Sequence, residues 1–348
     1  MISRRHLLQS AGIGAGALAL NALPTSRLLA AAAGGLTFVS WGGTTQDGQK
    51  TSWADPFAKQ SGLSVLQDGP TDYGKLKAMV DAGNTVWDVV DVEGDYAFHA
   101  ADAGLLEPID YSIVKKENLD PRFSFEYGVG SFYYSFVLGY NKDAVGSKTP
   151  ESWADIFDTT KFPGKRSFWK WSSPGVLEMA LLADGVPADK LYPLDLDRAF
   201  AKLTSIKKDI LWWASGAESQ QQLASGEVAL GKFWNGRMYA LAQSGANTGI
   251  SWNQNMALAD ILVVPKGTKN KEAAMKFLAL ATSPEGQAAM ANATAYAPIN
   301  KASLPMIDKK MTSTLPSEHT DSQITLDMRY WSKNRDAIGE RWYAWQAA

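Results

Sequence analysis

No cysteine occurs in the 348 residues, and that absence excludes a good deal. Disulfides and thiolate metal sites are ruled out, and so is a lipid anchor carried on a cysteine. Histidine is almost as scarce, with three residues, and His99 and His319 stand isolated without metal-ligand spacing. Lys and Arg number 34 against 36 Asp and Glu, with no basic stripe, so the surface is a poor match for nucleic acid. No segment reaches the roughly 20 consecutive apolar residues that a membrane span needs. H-E-x-x-H, G-x-S-x-G and the glycine-rich dinucleotide fingerprint are also missing, so no cofactor and no metal are expected.

What is present begins with a processing signal. "SRRHLL" (3–8) is a twin-arginine pattern, followed by an apolar, acid-free stretch from Ala11 to Leu23 and the small-residue run 30–33. This reads as a twin-arginine signal peptide over residues 1–33 with an A-x-A-like cleavage site. Its removal takes away Arg4, Arg5 and Arg27 and no acid, moving the formal charge from −2 to −5. The expected mature protein is free in the periplasm, without a membrane anchor. Its roughly 315 residues suggest two domains.

The mature sequence alternates short β runs with helical patterns. "LTFVSW" (36–41), "LSVLQ" (63–67) and "WDVVDV" (87–92) read as strands, separated by helices over 45–62 and 73–83 and followed by one over 96–104. The spacing predicts a parallel sheet with helices on both faces. A long aromatic β run, "VGSFYYSFVLGYN" (129–141), interrupts the pattern before a second alternating unit begins at "SWADIFD" (152–158). "EVALGKFW" (227–234) is a strand that runs into a helix opened by Arg237, and "GISWNQ" (249–254) and "ADILVVPKG" (259–267) are further strands. Ile324, Met328, Trp331, Ile338, Trp342 and Trp345 mark a terminal helix. Two β stretches, near 132–141 and 252–262, are placed to cross between the two α/β units. Ligands of open α/β sheets sit beyond the carboxyl ends of strands, which singles out the loops 41–45, 92–96, 169–175, 213–220, 234–237 and 260–262.

In order and spacing, "SWGG" (40–43), "GLLEPID" (104–110), "YSFVLGYN" (134–141), "SWADIFDTTKFPGKR" (152–166), "GEVALGKFWNGR" (226–237), "ADILVVPKGTKNKEAAMKFL" (259–278) and "AYAPIN" (295–300) resemble the periplasmic substrate-binding proteins of ABC importers. The resemblance is to the polyamine (spermidine/putrescine) group and its γ-aminobutyrate-binding relatives. It implies an α/β, two-lobe, hinge-connected fold, each lobe a sheet with helices on both faces, closing on a ligand. Lobe 1 is expected over 34–135 and 259–305, and lobe 2 over 136–258 and 306–348. The implied protein is a monomeric receptor, not an enzyme, that delivers a small amine-containing solute to an inner-membrane ABC permease.

The resemblance also places residues. Trp41, with Gly42 beside it, stands where the family puts a cleft aromatic, and Glu93 and Asp95 lie in a loop that gives polar contacts. Polyamine binders place carboxylates at positions matching Ser172 and Gly175, and neither residue is acidic here. Trp234 matches a ligand-stacking Trp, Asp260 an ammonium-binding Asp and Tyr296 a ligand-facing Tyr. Arg237 and Asp260 together match the arrangement in the γ-aminobutyrate-binding relatives. Trp213 is added from its loop position alone. An acid suits an ammonium and a planar guanidinium suits a carboxylate, so the pair points to a zwitterion, with γ-aminobutyrate favoured.

Each assignment has a plainer alternative. Arg237 would be structural if it paired with Asp260 or Glu227, and Asp260 if it only capped a turn. With 13 tryptophans, most must be packing. Glu93 and Asp95 would be a solvated acidic loop, or, in a different class of protein, the carboxylate pair of an exported hydrolase. A true spermidine/putrescine-binding protein is the remaining alternative.

Overall fold

The computed structural model describes residues 35–348, so the signal-peptide segment lies outside the described residues. The first half builds β1 (Gly35–Val39), α1 (Gly43–Gln49), a π-helical turn (Lys50–Ala54), α2 (Asp55–Ser61), β2 (Ser64–Asp68), α3 (Tyr73–Asp81), β3 (Val89–Glu93) and α4 (Gly94–Asp102). Local chemistry sets the boundaries. Gly62 takes φ 73° and closes α2 in the left-handed region that glycine enters without penalty. The Asp72 carboxylate accepts from the Lys75 backbone N–H and caps α3.

The long aromatic run becomes β4 (Gly128–Asn141), a strand of 14 residues all of which are buried. The second unit follows as α5 (Trp153–Phe157), β5 (Lys165–Trp169), α6 (Val176–Ala183), α7 (Leu196–Thr204), β6 (Ile210–Trp213), α8 (Gly216–Ala224), β7 (Val228–Trp234) and α9 (Asn235–Gln243). Ser152 and Asp155 form a reciprocal capping box on α5. Then come β8 (Thr248–Val263), α10 (Lys271–Ala281), α11 (Pro284–Thr294) and the terminal α12 (Met328–Ala347).

The strand order is β2-β1-β3-β8-β4-β7-β5-β6. Pairing is parallel within β2-β1-β3 and within β7-β5-β6, as the alternation predicts. It is antiparallel where β8 meets β3, where β4 meets β8 and where β4 meets β7. The two α/β units therefore share one mixed sheet, and β4 and β8 reach into both. The two strands expected at 249–254 and 259–267 are one 16-residue strand. The β4–β8 ladder slips between Phe136↔Met256 and Leu138↔Ser251, and Gln254 there takes φ 54°. This irregularity is what makes the sequence read as two strands.

Tryptophan serves mainly as packing: Trp53, Trp87, Trp153, Trp213, Trp331 and Trp342 are fully buried. The terminal helix starts later than its apolar pattern predicts. Ile324 lies in a two-residue strand, and Asp327 caps the helix by accepting from the Tyr330 N–H. From there α12 touches both units, with Arg335 ion-paired to Asp95 and the Trp342 indole donating to the Lys170 carbonyl at 2.9 Å. No helix among the described residues is long and apolar enough to cross a membrane.

Candidate ligand-binding site

A cavity of about 1010 Å³ opens at the carboxyl ends of strands from both units. Eight of the ten residues singled out from the sequence line it: Trp41, Gly42, Glu93, Ser172, Trp234, Arg237, Asp260 and Tyr296. Two do not, and for each the reason is packing. Trp213 is 0% exposed behind the wall, edge-on to Trp234 with ring centres 4.8 Å apart. Asp95 is also 0% exposed, and its carboxylate is held by Arg335. It is therefore no solvated loop acid, and it is not free to act with Glu93 as a hydrolytic pair.

The turn after β7 positions Arg237. The Asn235 side chain accepts from the Ser135 N–H at 3.0 Å and donates to the Ala295 carbonyl at 2.7 Å, pinning the start of α9. Gly236 lets Tyr296 come close, since a Cβ there would stand 2.5 Å from the Tyr296 ring. Arg237 is 7% exposed, and its Nη1 donates to the Thr44 hydroxyl at 2.7 Å. Its Nε has no partner. Neither Asp260 nor Glu227 forms an ion pair with it, and no described carboxylate does. A buried guanidinium with open donors is an incomplete anion site. Gly216, at the start of α8, keeps the space beside it clear: a Cβ there would lie 2.5 Å from Nε.

The opposite charge comes from the sheet. Glu93 ends β3 and faces Asp260 directly across the antiparallel ladder, and Asp91 lies two residues earlier on the same face of β3. Asp260 is 6% exposed. Burial above all, then the nearby Asp91 and Glu93 carboxylates, hold its pKa well above the usual carboxylate range. The Tyr134 hydroxyl and the Trp41 indole lie beside it and favour its ionised form, although the Trp41 N–H has no regular hydrogen-bond partner. Burial pushes Glu93 up to about 7, helped by Asp95 and opposed by Arg335 and the Tyr73 hydroxyl. Asp91 also rises to about 7 through burial, against hydrogen bonds led by Gln49 and Ser40.

Aromatic rings join the two poles. Tyr296 stacks on Phe132 at 4.6 Å, and its hydroxyl feels both Arg237 and Asp260. Trp41 meets Tyr73 edge-on at 6.0 Å, and Trp234 meets Trp169 at 5.3 Å. The cavity is thus an aromatic slot with an anion-seeking end and a cation-seeking end.

Gly175 lies behind the wall as the residue before α6, at φ 107°, and a Cβ there would stand 2.7 Å from the Phe136 ring and 3.2 Å from Lys232 Nζ. No acidic side chain fits at that position. Lys232 is itself buried, with its ammonium 3.1 Å over the centre of the Phe136 ring. Burial pushes its pKa down to about 7, against Glu178 and Glu93. His99 and His319 do not line the cavity; His319 stacks on Trp252 at 4.0 Å. Among the described residues no cluster has the makings of a metal site.

Sequence reasoning missed several wall residues. Tyr134 and Phe132 were accessible in principle, because alternation along 129–141 puts them on one face of β4. Arg335 carried no signal, because it reaches the cavity only through the return of α12.

The model of the bacterial extracellular solute-binding protein family matches residues 52–317. The chain is 34% identical over 321 residues to the γ-aminobutyric acid-binding protein of Pseudomonas aeruginosa PAO1, covering 90% of this chain and 91% of that protein. It is 27% identical over 357 residues to the spermidine/putrescine-binding periplasmic protein of Salmonella typhimurium LT2, covering 97% of each. The solved structure of the Atu4243–GABA receptor superposes with a TM-score of 0.86 at 64% identity, covering 90% of this chain and 97% of that one.

Proposed function

Because the chain belongs to the bacterial extracellular solute-binding protein family, we propose that it captures a zwitterionic ω-amino acid, γ-aminobutyrate foremost, and delivers it to an ABC importer. The ligand ammonium sits on Asp260 among Trp41, Tyr134 and Trp234, where cation–π attraction adds about 0.5–2 kcal/mol for each well-placed ring. The carboxylate sits on Arg237 beside Thr44. The observation that carries this reading is the pair of unanswered poles: among the described residues, the buried Arg237 has no carboxylate partner and the buried Asp260 no ion-paired cation. The names of the relatives support it, since the 64%-identical structure is a GABA receptor.

The polyamine alternative fares worse on the same geometry. Putrescine would bring a second ammonium against Arg237, a like-charge contact that costs several kcal/mol in a closed site. Competition calorimetry on the mature protein tests the choice. γ-Aminobutyrate is expected to bind far more tightly than putrescine, and Arg237→Ala to erase that preference. Tight putrescine binding that survives Arg237→Ala rejects the reading.

The remaining parts of the proposal concern the whole molecule. Residues 1–33 direct export by the twin-arginine route, and the mature chain works as a monomer with a dedicated inner-membrane permease. Residues 34–135 with 259–305 form one lobe and 136–258 with 306–348 the other, closing by a hinge. The sharing of β4 and β8 between the two units supports that division, and the contacts of α12 with both make it a strap across the join.

A further inference from the structure

The cavity wall contains a second arginine. Arg335 projects from α12, lines the cavity and is ion-paired to the fully buried Asp95 of α4. Its guanidinium lies over the Tyr73 ring at 5.1 Å and the Tyr96 ring at 5.8 Å. Those two rings are themselves stacked, 3.6 Å apart and 5° from parallel. The arginine is thus fixed by an ion pair below and an aromatic platform beside it. It also lies within electrostatic reach of Glu93, which shares the cavity wall. The guanidinium answers Asp95 directly and shares Glu93 with the buried Lys232; without it this end of the cavity would be more negative. The two arginines differ in availability: Arg237 has an open Nε, whereas Arg335 is occupied.

We propose that Arg335 is a specificity-determining residue that offsets Asp95 and, together with the buried Lys232, Glu93, so that neither acid offers a second seat for an ammonium and diamines are turned away. This rests on the reading of Arg237 and Asp260 as the ligand poles. It adds that rejection of a diamine is built in at two places, by the open Arg237 and by the acids that Arg335 holds. Without Arg335, Glu93 loses the larger of the two cationic influences on it, the buried Lys232 being the lesser, and becomes a second seat for an ammonium. Specificity of this kind comes from an element set against the wrong ligand as well as one that fits the right one.

The experiment measures the putrescine dissociation constant by calorimetry for wild type, Arg335→Met, Arg335→Lys and the double variant Arg335→Met/Asp95→Asn. Arg335→Met leaves a buried, unpaired Asp95, which is strongly destabilising. The double variant removes both partners together and leaves Glu93 without the arginine. Putrescine is expected to bind at least tenfold tighter to each folded Met variant than to wild type, while Arg335→Lys stays close to wild type. The proposal is overturned if folded Met variants show no gain. It is overturned equally if Arg335→Lys gains as much as Arg335→Met, or if both Met variants fail to fold, which would make the arginine structural. Putrescine tightening is read independently of γ-aminobutyrate. A wild type that binds no ω-amino acid therefore sinks the functional reading without being mistaken for failure of this one.

Discussion

Replacing Asp260 by Asn should produce two effects of opposite sign. The substitution keeps the shape of a side chain that is 6% exposed and removes its charge. In the liganded protein it truncates one partner of a buried charge pair, a loss of about 2–5 kcal/mol. The loss is expected toward the lower part of that range. Burial and the neighbouring Asp91 and Glu93 raise the pKa of Asp260 in the empty site, and that cost of holding the charge offsets part of what it contributes to binding. We expect about 2–3 kcal/mol, or roughly thirty- to 150-fold weaker γ-aminobutyrate binding.

In the empty protein the direction reverses. The folded state raises Asp260, and brings Asp91 and Glu93 to about 7, so it binds more protons than the unfolded chain. Stability from these groups is fully present below about pH 4 and drains away as the pH climbs toward and past 7. Asp260→Asn removes one participant in that repulsion, so the unliganded variant should melt no lower than wild type at pH 8. Thermal melts at pH 5 and pH 8, with and without ligand, together with calorimetry, measure both effects. An unliganded variant that melts several degrees lower at both pH values, or one that binds with unaltered affinity, would refute the reasoning.

Three further outcomes are expected. Gly216→Ala should displace the Arg237 side chain, because the new methyl would stand 2.5 Å from Nε; calorimetry should show at least tenfold weaker γ-aminobutyrate binding, and unchanged affinity would mean that Arg237 does not hold the ligand. Replacing Arg4 and Arg5 together by Lys should leave the precursor in the cytoplasm, as fractionation and immunoblotting would show, and normal periplasmic yield would remove the twin-arginine assignment. Small-angle scattering of the mature chain should give a monomer mass and a radius of gyration that falls on adding γ-aminobutyrate; a radius that does not change at saturation argues against hinge closure.

Much of the fold was legible because its signals are local. Strand–helix alternation, Gly62 and the Ser152 capping box depend on neighbours in sequence, and the structure has them where the pattern puts them. The cavity residues at strand ends were legible for a related reason, since a parallel α/β unit dictates which loops face the ligand. The failures are non-local. Trp213 shares its strand-end position with true wall residues, but Trp169 and Trp234 cover it. Asp95 reads as a loop acid until α12 returns over two hundred residues later with Arg335. The single long β8 was hidden because its ladder slips around Gln254.

The two shared strands also bear on how a closing motion would run. β4 and β8 are hydrogen-bonded to each other on both sides of the slip, from Val129↔Leu262 to Asn141↔Thr248. Paired ribbons resist shear along their length but yield in torsion, so they act as a torsion bar and not as two loose tethers. The compliant section of that bar is the break in the ladder between Phe136 and Leu138, opposite residues 252–255. Asp260 stands on β8 five residues past this section, and Phe136, at its edge, stacks on Trp234 at 6.3 Å. On the proposed reading, a ligand held between Asp260 and Trp234 would load the bar beside this break. Capture and closure would then be one mechanical event, with a single coordinate along which the two halves approach.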